Sequence, residues 1–199
     1  MGIDLEIHSC SKYIGGHSDV VAGVVVGKEI DIRSIFDREH AFLGAKLSPF
    51  EAWLILRSLR TLKIRMLQHQ ENAIAVANFL DEHPKIKKVL YPGIESFEQY
   101  QLAKEQMSGF SGLMGFIIDS NNIDEIKNFF NSLKYFRIGV SWGGHESLIY
   151  APAISYLKEM PKEQFDNMGI SLGVMRISVG LEEVNDLIDD LKQALKHIK

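Results

Sequence analysis

Short apolar runs and 3.6-residue stripes divide the chain into strands and helices. Leu5–His8 predicts a short strand. Val20–Val26 is valine-rich and apolar on both faces, which predicts a strand buried inside a sheet. Such a strand needs neighbours, and the few residues before it supply at most one. Ser48-Pro49-Phe50-Glu51 is a helix start, with Ser48 as N-cap, Pro49 at the first position and Glu51 placed for a capping box. The helical pattern then runs with little interruption to His83, where Pro84 stops it. Phe50 to Leu56 is nearly all apolar, which predicts burial on several sides, while Ala73, Ala77 and Leu80 share one face. From Lys85 onward strands and helices alternate. Strands are predicted at Ile86–Tyr91, Leu113–Ile118, Tyr135–Ser141, Ser147–Ala151 and Val174–Val179. Helices are predicted at Ile123–Leu133, Lys162–Met168 and Glu182–His197. The last carries a core-packing stripe of Val184, Leu187, Ile188, Leu191 and Leu195. The pattern predicts an α/β fold with helices over one face of a mostly antiparallel sheet. It divides into residues 1–47, a long connecting helix over 48–84, and an α/β domain over 85–199.

Composition narrows the partners. The 199 residues are 46% hydrophobic and 24% charged, ordinary for a globular protein. A formal net charge of −4, with lysines and arginines scattered among acids, argues against nucleic acid or an anionic membrane as main partner. No stretch approaches the length of a membrane span, and residues 1–7 lack the regions of a signal peptide. Cys10 is the single cysteine, so no internal disulfide or cysteine-based metal site is expected, which suits a reducing cytoplasm. Cys10 reads as buried filler, although Lys12 nearby would lower its pKa. The histidines follow no metal-ligand spacing. His69 and His83 are expected to be solvated, His17 belongs to a turn, and His145 is expected to be structural.

Two places carry chemistry. In Ser9-Cys10-Ser11-Lys12-Tyr13-Ile14-Gly15-Gly16-His17-Ser18-Asp19, one lysine sits between hydroxyls and a Gly-Gly turn. A lysine amine forms a Schiff base with an aldehyde, and neighbouring hydroxyls bind phosphate, so the string reads as an anchor for pyridoxal phosphate (PLP). The plainer reading is a surface turn with a solvated lysine. Arg176 interrupts the apolar run Met175-Arg176-Ile177-Ser178-Val179 and should point to one face. It is either a sheet arginine paired with a carboxylate or a guanidinium fork for an amino-acid carboxylate.

The lysine string resembles the Schiff-base segment of the Cys/Met-metabolism (trans-sulfuration) PLP enzymes, of the form S-x-[ST]-K-[YF]-x-x-G-H-S-D. Ser141-Trp142-Gly143-Gly144-His145-Glu146-Ser147-Leu148 and Arg176 to Glu182 resemble two further motifs of that family, S-[LW]-G-G-x-E-S-L and R-[LIF]-S-[VI]-G-[LI]-E. Tyr91-Pro92-Gly93 and Gln106 to Gly112 match its turns. The resemblance implies the C-terminal part of a fold-type I PLP-dependent transferase, in which residues 1–47 are the remnant of the large cofactor-binding domain. It implies that Lys12 is covalent anchor and general base, that Ser9 and Ser11 hold the phosphate, and that Ser141, Trp142 and Arg176 hold the substrate carboxylate. It also implies a sulfur-containing amino-acid substrate and a carbon–sulfur β/γ-lyase or γ-synthase reaction.

In the family the lysine lies near the middle of a longer chain. The groups on the pyridine nitrogen and ring face, the glycine-containing phosphate loop, and a tyrosine and arginine from a neighbouring subunit all precede it. The resemblance therefore implies that these residues act with a complementary N-terminal half, in a homo-oligomer, and are inactive alone. The other reading is a non-catalytic, truncated α/β domain that acts only in folding or association. Three departures bear on the substrate. Trp142 looks like the β-lyase branch, Phe97-Glu98-Gln99-Tyr100 replaces a histidine-rich string, and Ala151-Pro152-Ala153 lacks the usual histidine.

Overall fold

A computed structural model describes residues 2–44 and 47–199. Met1, Ala45 and Lys46, which belong to the expected 1–47 segment, lie outside the described residues. The chain divides into two compact units, Met1–Lys63 and Ile64–Lys199.

In the first unit β1 (Leu5–Ser9) pairs antiparallel with β2 (Gly23–Gly27), from Leu5 opposite Gly27 to Ser9 opposite Gly23. Between them lies a single wide turn, Cys10–Ile14. Then come α1 (Glu29–Ile35), a second wide turn (Phe36–His40) and α2 (Ala41–Leu43), none of which the sequence pattern signalled. The expectation that Val20–Val26 lies buried inside a sheet is corrected. The ribbon has two strands, so β2 has one neighbour, and Val21 and Val26 are exposed. Val20 is buried in the loop instead, in a small core with Cys10 and Ile55.

α3 (Pro49–Leu59) starts as its sequence predicts. The Glu51 amide donates to Ser48 Oγ (3.2 Å), and the Ser48 amide donates to Glu51 Oε2 (3.0 Å). One expectation for this helix fails. Phe50, Trp53 and Leu56 are exposed rather than buried within this chain. α3 ends in a turn at residues 60–61, a short interruption before α4 (Leu62–Asp81) begins. The Ser58 hydroxyl donates back to Leu54 O and the Thr61 hydroxyl to Ser58 O, and side chains that bond the local backbone in this way compete with the helix.

The second unit holds most of the hydrophobic core. Its elements are the rest of α4, then β3 (Ile86–Leu90), α5 (Tyr100–Gln106), β4 (Leu113–Ile118), α6 (Ile123–Ser132), β5 (Arg137–Ile138), β6 (Leu148–Tyr150), α7 (Pro152–Glu159), α8 (Lys162–Asn167), β7 (Val174–Ser178) and α9 (Val184–Ala194). The sheet runs β3-β4-β7-β6-β5, antiparallel except between β5 and β6. Burial alternates along β4, with Met114, Phe116 and Ile118 inward. The same core holds Ala73, Val76, Ala77 and Leu80 of α4, Ile126 and Phe129 of α6, and Leu187 and Leu191 of α9. This is the mostly antiparallel sheet covered by helices that the pattern predicts. Among the described residues, no helix is long and apolar enough to cross a membrane.

Tertiary bonds shorten the strand expected over Tyr135–Ser141 to Arg137–Ile138. At its start the buried Asp190 carboxylate takes the amides of Lys134 (2.9 and 3.1 Å), Tyr135 (2.8 Å) and Phe136 (3.2 Å). At its end the Arg176 guanidinium takes the carbonyls of Val140 and Ser141. Neither end is left to pair along a strand. Asp190→Ala orphans three amides, at roughly 1–3 kcal/mol for each one that stays buried. Only the Phe136 amide is deeply buried, so the expected loss of stability is about 1–3 kcal/mol, read as a shifted urea midpoint. Asp189→Ala, at an exposed neighbour, should stay within about 0.5 kcal/mol of wild type. Equal effects at the two positions would contradict the role given to Asp190.

Candidate functional site

Lys12 sits in the turn between β1 and β2, half-buried, with φ −99° and ψ −133°, which breaks the local helical path. Main-chain bonds set the turn. The Cys10 amide donates to Ala22 O (2.8 Å), Gly15 to Cys10 O and Gly16 to Lys12 O (both 2.7 Å). The two glycines have separate reasons. A Cβ on Gly15 would lie 2.6 Å from Cys10 O, and Gly16 has a φ of 72°. His17 belongs to the same turn, and its Nδ1–H donates to Gly15 O (2.6 Å).

The two hydroxyls differ. Ser11 Oγ accepts the Ala22 amide (3.0 Å) and donates to Ala22 O over a long 3.4 Å. Its oxygen is held and its proton only weakly committed. Ser9 is exposed, and its hydroxyl has no hydrogen-bond partner among the described residues. One amine with two hydroxyls able to donate is a donor set that fits an aldehyde carrying a phosphate. Cys10 is buried beside it, and burial pushes its thiol up from the ordinary 9.0. The lowering expected from Lys12 is corrected, and the thiol stays protonated at neutral pH.

Arg176 lies in β7 between Met175 and Ile177, which point into the core, so it projects from the opposite face. Its register partners are Gly115 on β4 and Tyr150 on β6. Nη2 donates to Val140 O and, at 3.3 Å, to Ser141 O. The guanidinium carbon lies 5.6 Å from the Trp142 ring centroid and 5.3 Å from that of Tyr150. Nε is buried with no acceptor among the described residues. A guanidinium positioned by carbonyls and aromatic rings, with a buried N–H unused, is suited to a carboxylate ligand. The expected residues Ser141, Trp142 and Arg176 thus meet within the second unit, while Ser9, Ser11 and Lys12 lie within the first. Tyr150 was missed. Its signal was the Ser147–Ala151 strand, whose pairing with β7 the sequence does not state.

His69 is corrected from solvated to fully buried, with Nδ1–H donating to Val179 O (2.8 Å). Burial lowers its pKa from 6.5, the Arg65 charge adds to this, and the Val179 bond and Glu182 oppose it. The folded chain therefore keeps His69 neutral where the unfolded chain takes up a proton. Its contribution to stability is complete above pH 6.5 and is lost as pH falls from 6.5 through the folded pKa. The urea midpoint should drop between pH 7.5 and 5.5, and His69→Gln should drop less. His83, also lowered by burial and Lys85, acts in the same direction and leaves a residual slope. An unchanged slope in the variant would refute the assignment. Among the described residues, no group of three or more His, Cys, Asp or Glu is placed to hold a metal ion.

Residues 1–196 match the family model described as Cys/Met metabolism PLP-dependent enzyme. The chain is 41% identical to a cystathionine gamma-lyase of Dictyostelium discoideum, over 98% of this chain and 50% of that protein. It is 41% identical to a cystathionine beta-lyase of Lactococcus lactis, over 98% and 51% respectively. With an L-methionine gamma-lyase of Fusobacterium nucleatum the identity is 41%, over 100% and 50%. Among solved structures, the cystathionine gamma synthase of Xanthomonas oryzae pv. oryzae, in complex with aminoacrylate and cysteine, superposes with a TM-score of 0.88 at 40% identity. That match covers 98% of this chain and 50% of the other. The chain spans about half the length of the relatives it matches.

Proposed function

The chain belongs to the Cys/Met-metabolism PLP-dependent enzymes, and from that premise we propose that it carries the cofactor-anchoring lysine and the carboxylate-binding arginine of a carbon–sulfur β/γ-lyase or γ-synthase. The substrate is a sulfur-containing amino acid. The observation that carries this reading is Arg176, whose buried, unused Nε–H sits beside the loop bearing Ser141 and Trp142.

When bound, PLP supplies an electron sink for the carbanion at the substrate α-carbon. The protein residues do the rest. The Lys12 amine would hold the cofactor and would take the α-proton of the substrate. The Ser9 hydroxyl donates to the phosphate, and Ser11 gives up its 3.4 Å bond to Ala22 O to do the same. Arg176 binds the substrate carboxylate through Nε and a neighbouring N–H, with Ser141 and Trp142 beside it. This fixes which bond at the α-carbon is exposed to the base.

These 199 residues act with a complementary N-terminal half, in a homo-oligomer, in a reducing cytoplasm. Alone they bind PLP weakly and turn over nothing, because Lys12, Ser9 and Ser11 lack an acid for the ring nitrogen and a fuller phosphate cradle. Turnover of cystathionine and of methionine, with PLP and with or without an N-terminal half from a relative, tests this. Activity only with the half present is expected. Robust activity of the isolated chain would overturn the dependence on a partner. No turnover of either compound by the assembled pair would overturn the reaction class.

A further inference from the structure

Arg176 is held by a loop, and that loop is fastened to the strand that carries Arg176. Ser147, fully buried, is the junction. Its amide donates to Glu182 Oε1 (2.6 Å) and its hydroxyl to Glu182 Oε2 (2.8 Å). The same hydroxyl accepts the Gly180 amide (2.8 Å). Two further bonds join the segments, from the Leu181 amide to His145 O (2.8 Å) and from the Gly143 amide to the buried Ser178 Oγ (3.1 Å). The approach is close enough that a Cβ on Gly180 would lie 2.4 Å from both Glu182 Oε2 and His145 O. From the other side Asn72 of α4 donates to Gly180 O (3.0 Å) and Glu182 O (2.9 Å).

We propose that Ser147 and Glu182 are positioning residues for the arginine–carboxylate site. This rests on the reading of Arg176 given above. The bonds form a closed circuit. Arg176 leaves β7 and grips the carbonyls of Val140 and Ser141. The loop continues through Trp142 to Ser147, and Ser147 returns to the end of β7 through Glu182 and Gly180. Moving the loop end at Ser147 shifts the carbonyls that orient Nη2, and with them the direction in which Nε–H points. Two-point recognition of a carboxylate tolerates about 0.5 Å, and a displacement near 1 Å costs on the order of a hundredfold. A carboxylate that accepts both an amide and a hydroxyl from one residue fixes that residue in two directions.

The alternative is a staple that only stabilises the fold. The Arg176 Nε–H resonance of the 15N-labelled, cofactor-free chain, titrated with L-methionine, separates the two. The wild type should shift saturably. Ser147→Ala and Glu182→Ala should weaken that titration by roughly ten- to a hundredfold. Glu182→Gln keeps an acceptor for the amide and a partner for the hydroxyl, and should stay within about threefold. In the wild type, saturating L-methionine should also slow amide exchange at Gly143, Ser147 and Gly180, because coupling is reciprocal. That measurement needs no variant to fold. A wild-type titration preserved in folded Ser147→Ala, or unchanged amide exchange on binding, would overturn the proposal. A wild type that does not titrate at all would overturn the carboxylate reading and this inference with it.

Discussion

Lys12→Ala should reduce turnover of the assembled enzyme to background and leave no borohydride-fixed cofactor on the chain. On the proposed reading anchor and base are one residue, so a single truncation removes both functions. The turn itself should persist in the variant. The turn is set by the main-chain bonds of Cys10, Gly15 and Gly16 and by the His17 ring, and none of these uses the Lys12 side chain. Far-UV circular dichroism and the thermal midpoint of Lys12→Ala, read beside those of Lys12→Arg, separate a lost function from a lost fold. Lys12→Arg is the control. It keeps a cation in the turn, but a guanidinium stays protonated and makes no Schiff base. Mass spectrometry of the reduced holoenzyme should find the cofactor on the peptide containing Lys12. Cofactor fixed at another lysine would refute the assignment, as would activity retained in Lys12→Ala.

Arg176→Ala should mainly raise KM. Removing one partner of a charge-assisted pair costs about 2–5 kcal/mol, and each 1.4 kcal/mol is tenfold, so KM rises by roughly thirty- to several-thousandfold. kcat should fall as well, by less, because on the proposed reading the same contact also orients the α-carbon toward the base. Arg176→Lys should recover little. An ammonium would keep the charge but lose the fork, the stacking on Trp142 and Tyr150, and the simultaneous grip on Val140 O and Ser141 O. An unchanged KM in Arg176→Ala would place the substrate carboxylate elsewhere.

Residues adjacent in sequence could be read from sequence. The capping box at Ser48, the β4 strand and the α9 stripe depend on neighbours within a few positions, so their patterns appear directly in the chain. The lysine turn is local in the same sense, because the hydroxyls, Lys12, the Gly-Gly pair and His17 lie within nine residues. The alternation Met175-Arg176-Ile177 likewise determined that Arg176 leaves the core face, since side chains alternate along any strand.

What only the tertiary structure decided involves partners far apart in sequence. His69 reads as solvated on a helix, yet it lies against Val179 O, 110 positions away. Tyr150 joins Arg176 because β6 pairs with β7, a register fixed by the whole sheet. The run Tyr135–Ser141 carries strand-forming Tyr135, Phe136, Ile138 and Val140, but Asp190 and Arg176 bind its backbone groups and leave a two-residue strand. Phe50, Trp53 and Leu56 carry an apolar pattern that predicts burial, and this chain leaves them exposed. Hydrophobicity states that a side chain favours burial, and the pattern along a helix states which side. The partner that covers it, or takes a buried polar group, is set by packing between segments that the local pattern does not relate.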